Sequence, residues 1–459
     1  MNRAPYYLSL ALLIICMSGC KKFLNVRPDN INLNVSTVED FEAMLNSSSL
    51  ATPDYLISDL VSDDVLLGQG VLMRGAGQSY VNAYLWANTV WSASDNDLMY
   101  NTSYQDILQM NIILDNIGNA EGGTAQRKEI VNAQARINRA YYYLQLVNLY
   151  GLDYQSASAA KDLGVPLILH PDANARPVRA TVQQVYDQIL SDLNVAVSSV
   201  SLPEFGVDVI HPGKASAYAL MARTYLYMGN YEKALGAAES ALKIKSTLLD
   251  YGTQQKYMTL KDQQSNPEIL LARVCMDVDF YNNYFLTINA SKELQGLLGN
   301  NDLRFTNCFN PPGDYQTYMD IGGTSMQFNY SIGVPEMMLI KAECLARSGD
   351  EAGALDLVNT LRKYRYKPAD YTLLKTDGNK DALTLVLEER RRELFFKGGV
   401  RLFDLKRLNR EGKFKKDLER LSDIDGTSLT TLPAGSPRYL MPFAPVIIAN
   451  NPLMIQNGR

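Results

Sequence analysis

The feature that most constrains this chain is a helical hairpin that occurs twice. In residues 213–245, Tyr218, Ala222 and Tyr225 recur at i, i+4 and i+7, Gly229-Asn230 makes a turn, and Ala234, Ala238 and Ala241 resume the stripe. In residues 334–365, Met338, Ala342 and Leu345 are followed by Gly349-Asp350, then by Ala354, Val358 and Leu361. Pro335 suits a first helical turn, where its missing N–H leaves nothing unsatisfied. Alanines on facing stripes let two antiparallel helices approach closely. A hairpin of this kind cannot bury its apolar face alone, so the pattern predicts several pairs stacked on one another.

Two further pairs are expected, over residues 37–117 and 133–200. Thr37 caps a helix that carries Val38, Phe41 and Leu45, and a second helix is expected around residues 104–117. Ile137, Ala140, Leu144 and Val147 make one stripe, stopped by Gly151. Thr181 and Gln184 can close a capping box ahead of Val182, Val185, Ile189 and Leu193. The segment Met228-Gly229-Asn230-Tyr231-Glu232-Lys233-Ala234-Leu235 approaches the tetratricopeptide consensus. The expected fold class is therefore mainly α: four tetratricopeptide-like hairpins (37–117, 133–200, 213–245, 334–365) form a scaffold, with an irregular loop-rich second lobe. That lobe is expected from the insertions 51–102, 246–333, 366–387 and 409–459. A charged helix begins at Glu388, where Glu388 precedes Arg392 at i,i+4, and Gly398-Gly399 is expected to stop it.

The N-terminus reads as an export signal. Arg3 precedes an apolar run from Tyr6 to Met17 that is too short to span a bilayer, and Met17-Ser18-Gly19-Cys20 resembles a lipobox. Residues 1–19 are thus a signal peptide, Cys20 the lipidation site, 20–36 an anchor and linker, and 37–459 one domain. A net charge of −5 with no basic cluster argues against nucleic-acid partners. Catalysis finds little support. The two histidines, His170 and His211, sit beside prolines, and no nucleophile triad, zinc motif or phosphate loop is present. Asp63-Asp64 and Asp277/Asp279 are spaced poorly for glycosidic cleavage and read as solvated acids, or at most as a calcium contact. No catalytic residue, metal site or cofactor is expected, a structural calcium being possible but not indicated. Cys344, inside an apolar stripe, reads as a structural thiol.

Three runs stand in order: Pro335 to Asp350, Asn359-Thr360-Leu361-Arg362, and Glu389 to Leu394 continuing into Val400 to Leu408. Together they resemble the C-terminal half of the SusD/RagB family. Arg139 to Gly151, Thr181 to Leu193, Asn266-Pro267-Glu268, Asp302-Leu303-Arg304, Leu440 to Phe443 and Asn450-Asn451-Pro452 also resemble family landmarks. The resemblance implies an outer-membrane lipoprotein at the cell surface. It would bind a nutrient, most often a glycan, and hand it to a TonB-dependent (SusC-like) transporter. The rival is a tetratricopeptide scaffold lipoprotein of outer-membrane assembly with only protein partners.

Aromatic residues in the insertions are the candidate binding residues, because rings stack on sugar faces and loops on a rigid scaffold carry recognition. Trp86 and Trp91 with Tyr84 form one cluster, and Tyr281 and Tyr284 with Asn282 form another. The alternative for both is that the rings fill a core beneath long loops. Arg390, Arg391, Arg401 and Asp404 are read as structural ion pairs.

Overall fold

The computed structural model describes residues 35–172, 174–253, 260–277, 288–310, 314–315 and 326–459. Cys20 and the signal lie outside these residues, as do Tyr281, Asn282 and Tyr284.

Helices dominate. The N-terminal helix α1 (Val38–Leu45) opens on a full capping box between Thr37 and Asp40. Then come α2 (Leu98–Asn116), α3 (Ala125–Tyr150), α4 (Val182–Ser198), α5 (Lys214–Tyr227) and α6 (Tyr231–Ile244). The C-terminal half supplies α7 (Val334–Ser348), α8 (Glu351–Lys363), α9 (Ala382–Glu393), α10 (Val400–Leu408) and the short α11 (Pro445–Asn450). The two diagnostic hairpins form as expected. Gly229 and Gly349 take left-handed φ angles of 72° and 92°, and Asn230 and Asp350 cap the helices that follow. Helix α6 packs on α7, which joins the second hairpin to the first.

Sequence reading and structure part at several elements, and the charged α9 begins at Ala382 rather than at Glu388. Helix α2 pairs chiefly with α3 rather than with α1. It begins at Leu98, well before residue 104, because Asp97 caps it by accepting the Tyr100 N–H at 3.1 Å. Gly398 and Gly399 do not stop α9, which ends at Glu393; they precede α10, and Gly399 is its N-cap.

Helix α3 is the axis of the core. Every residue from Ile137 to Tyr150 is buried, a pattern possible only for a helix covered on all sides. Several of its polar members pair within the core. Arg139 grips Asp192 of α4 with two nitrogens at 2.7 and 2.8 Å, and Tyr186 donates to Asn148 at 3.0 Å. The buried pair Arg223–Glu336 ties α5 to α7 in the same way, at 2.6 and 2.7 Å.

The insertions make a second lobe from short elements. Antiparallel pairing of Val65–Leu66 with Asn289–Ala290 joins the first insertion to the second. The charged α9 is an ion-pair hub, as read. Arg390 meets Asp404 at 2.7 Å, Arg401 meets Asp63 at 2.7 Å, and Arg391 meets Asp64 at 2.7 Å. Asp63 and Asp64 are therefore buried ion-pair partners, not solvated loop acids. Cys344 is buried and free, consistent with packing.

Candidate functional site

Two adjoining clefts lie where α2 begins. The larger, of about 560 Å³, is lined by Asn96, Asn101, Asn174, Asn450 and Asn451, the rings of Tyr100 and Tyr104, and Arg176, with Pro166, Ile168, Pro177 and Ile447 among the apolar groups. The smaller, of about 340 Å³, is bordered by Asp54, Tyr80, Trp91, Asp95 and Asp97, and it meets the first at Asn96.

The floor is built by helical spacing. Tyr100 and Tyr104 stand at i,i+4 on the first turns of α2, with ring centroids 4.5 Å apart. Tyr104 donates its hydroxyl to the Pro166 carbonyl at 2.7 Å. Beneath them, Tyr150 and Phe443 stack at 5.0 Å, and Tyr100 meets Phe443 edge-on at 5.8 Å. The second wall is the loop after Pro166, clamped by Tyr143, whose hydroxyl donates to the Ile168 carbonyl at 2.6 Å and accepts the Ile168 N–H at 2.8 Å. The third wall is α11 and Asn451, and Asn451 donates to the Pro177 carbonyl at 2.8 Å. Three distant segments thus close on one another to form the cleft.

Two buried charges flank the floor. Asp97 accepts from Tyr150 Oη at 2.6 Å and from Tyr100 N–H, yet burial still pushes its pKa up to about 6. Arg179 lies 5.1 Å from the Phe443 ring centroid. Its hydrogen bonds go to neutral acceptors: the carbonyls of Gly164, Leu163, Tyr150 and Ile455 and the Asn457 amide. Burial lowers its pKa to about 10.

The expected aromatic platform is largely core. Trp86 is 0% exposed, and its indole donates to the Val61 carbonyl at 2.8 Å. The Arg420 guanidinium covers the rings of Trp86 and Tyr84 at 4.3 and 4.0 Å, and Tyr84 is also fully buried. Neither ring can stack on a ligand, which corrects the expectation for both. Trp91 is 7% exposed and donates to the Pro442 carbonyl at 2.7 Å, leaving only an edge to the smaller cleft. The sequence reading noted Tyr100 only as a ring near the tryptophans and Tyr104 only as a helix start, and it did not pair them because it began the helix too late. The signal was Asp97 standing three residues ahead of Tyr100. Among the described residues no cluster of His, Cys, Asp or Glu is arranged to hold a metal ion.

Comparison with known proteins places this architecture. Residues 22–226 match a SusD-like family model described as starch-binding and associating with the outer membrane, and residues 301–458 match the SusD family model. No curated protein matches the chain. Among solved structures, a SusD superfamily protein from Bacteroides thetaiotaomicron superposes with a TM-score of 0.75 at 23% identity, over 92% of this chain and 100% of that one. A protein from Bacteroides vulgatus described as a putative sugar binding protein gives 0.73 at 22%, over 93% and 99%. Surface glycan-binding protein A from Bacteroides fluxus gives 0.68 at 16%, over 92% and 99%. With family models matching both halves and a mainly helical fold shared with SusD superfamily structures, the chain belongs to the SusD/RagB family.

Proposed function

We propose that this protein binds a glycan at the cell surface, tethered to the outer membrane through Cys20, and delivers it to a TonB-dependent SusC-like transporter. The observation that carries the reading is the Tyr100–Tyr104 pair, set in a cleft with five asparagine side chains. Sugar rings present apolar C–H faces and a rim of hydroxyls. Tyrosine rings suit the faces, and amides, which both donate and accept, suit the hydroxyls. Membership of a family described as starch-binding and outer-membrane-associated supports the same reading. Among the described residues no helix is long and apolar enough to cross a membrane.

Binding rather than cleavage fits the acids nearby. Both Asp95 oxygens accept from Ser92, and both Asp97 oxygens are engaged by Tyr100 and Tyr150. Neither carboxylate is poised across a bond as a glycosidase pair must be. Two stacked rings at about 0.5–1.5 kcal/mol each, with several exposed hydrogen bonds, point to an affinity of about millimolar to high micromolar. Such weak binding suits cargo that must be released.

A glycan array on the purified protein tests the reading, with Asn450→Ala as the site variant. Asn450 is exposed at the rim, so its loss should weaken binding and spare the melting temperature. A folded protein that retains no glycan on the array refutes the proposal. For delivery, gentle-detergent extraction should co-purify a TonB-dependent receptor, and repeated failure to do so would favour the scaffold rival.

A further inference from the structure

The two clefts that meet at Asn96 differ in charge. Among the described residues, Asp54, Asp95 and Asp97 border the smaller, whereas no carboxylate lines the larger. There the one charged lining group is Arg176, an exposed side chain that makes no ion pair or side-chain hydrogen bond among the described residues. Asp172, the nearest acid on its loop, turns an oxygen to the Asn174 N–H at 2.9 Å. Behind the floor lies a second cation. Arg179 is buried against Phe443 and surrounded by neutral acceptors, with no carboxylate among its hydrogen-bond partners. The other buried charge at the floor, Asp97, is held by Tyr150 Oη and the Tyr100 N–H and borders the smaller cleft. An anion in the larger one therefore offsets part of the cost of burying Arg179. The remaining polar lining is amide, which accepts and donates without adding charge.

From this polarity we infer that the larger cleft takes an anionic sugar unit, one bearing a uronate carboxylate or a sulfate ester, with its charged group over Arg176. The inference rests on the glycan reading above and narrows it to acidic glycans. The ring pair then receives the apolar face of that unit, and neutral units extend past Asn96 toward the acids, where their hydroxyls donate. Arg176 is the residue that sets the preference. Its guanidinium can form a bidentate, charge-assisted pair with either anion, which a lysine reproduces only as a point charge.

The test uses the full-length lipoprotein in detergent and isothermal titration with matched probes. Oligogalacturonate is compared with its methyl ester, which keeps the sugar and removes the charge. Chondroitin sulfate is compared with desulfated chondroitin to separate sulfate from carboxylate, and maltooligosaccharide is the neutral reference. At low salt the wild type should bind the more highly charged member of at least one pair about ten-fold more tightly than its partner, a usual range for a charge-assisted hydrogen bond. That margin should shrink as salt rises. Arg176→Gln should abolish the margin and leave the melting temperature unchanged. Neutral probes bound as tightly as anionic ones by the wild type would overturn this inference and leave the glycan reading intact. A margin that survives in Arg176→Gln would overturn the assignment to this cleft. A folded protein that binds none of the probes and nothing on the array would remove both readings.

Discussion

Trp86 separates a core from a binding platform, and Trp86→Ala is the sharpest test of the structure. The indole is wholly buried, its N–H reaches the Val61 carbonyl at 2.8 Å, and Arg420 lies 4.3 Å from its ring centroid. Arg420 in turn donates to the carbonyls of Leu60, Ser62, Val65 and Tyr84 at 2.7–3.0 Å. Removing the ring therefore empties a packed site and uncovers a guanidinium that ties the 60–65 segment to Tyr84 through four carbonyls. Core Trp→Ala changes cost about 3–5 kcal/mol, and that figure already includes the lost hydrogen bond and cation–π contact, since the same atoms make them. The backbone adds a second signature. Trp86 holds φ at +51°, a region costing non-glycine residues about 1–2 kcal/mol. Trp86→Gly should accordingly be no less stable than Trp86→Ala, the reverse of the usual order in regular structure. Urea denaturation followed by circular dichroism measures both variants, and glycan titration below the transition reports the cleft. Stability should fall by several kcal/mol while binding by the folded fraction persists. A loss of under about 1 kcal/mol together with abolished binding would refute the placement and restore Trp86 as a platform.

Three other outcomes are expected. Glu336→Gln leaves the Arg223 guanidinium buried without its counter-charge and should destabilise by about 3–5 kcal/mol, whereas Arg223→Met combined with Glu336→Leu should recover most of that loss in a double-mutant cycle. Burial pushes the Asp59 pKa up to about 7 from 3.8, against the pull of the Gly399 and Gly398 N–H groups, so its contribution to stability is full below pH 3.8 and is lost as pH rises through 7. That loss amounts to about 4 kcal/mol, and Asp59→Asn should flatten the corresponding limb of the urea-stability profile between pH 4 and 7; an unchanged slope would count against a buried, proton-holding Asp59. Cys20→Ser should release the protein from the outer-membrane fraction, because each buried methylene of the anchor contributes about 0.8 kcal/mol, and unchanged retention would exclude the lipobox reading.

What could be read from sequence follows the range of the forces involved. Caps, left-handed turns and i,i+4 stripes are local, so the hairpins at Gly229 and Gly349 and the Thr181–Gln184 box were legible without any tertiary information. The insertion 51–102 was not. It holds helices of four to seven residues, such as Gln69–Leu72 and Gln78–Tyr84, too short to show a period. Its burial is imposed from far along the chain, by Arg420 on Trp86 and Tyr84 and by the Pro442 carbonyl on Trp91. Exposure of an aromatic residue is a tertiary property, and ring content alone could not tell Trp86 from Tyr100.

The cleft extends the same logic to function. Its walls come from the start of α2, the loop after Pro166 and the C-terminal α11, and the third of these is in place only when the tail has docked. Docking is fixed by a few polar contacts. The Met441 N–H reaches the Leu149 carbonyl at 3.1 Å, and Asn457 donates to the carbonyls of Tyr150 and Met441 at 2.8 and 2.7 Å while accepting from Arg179 at 2.8 Å. Arg179 therefore does two jobs. It pins the tail through Ile455 and Asn457, and it places a positive charge behind Phe443. A ligand that bridges α2 and α11 must favour the docked tail, because the undocked chain offers it no third wall. Apparent affinity should then fall in variants whose tail is loosened, by the fraction of molecules whose tail is docked. Asn457→Ala removes the hub without touching the cleft lining. In that variant glycan should bind several-fold more weakly than in the wild type, and at equal ligand concentration it should raise the melting temperature less. Equal affinities in the two proteins would mean that the tail stays docked without Asn457 and that the site does not depend on that hub.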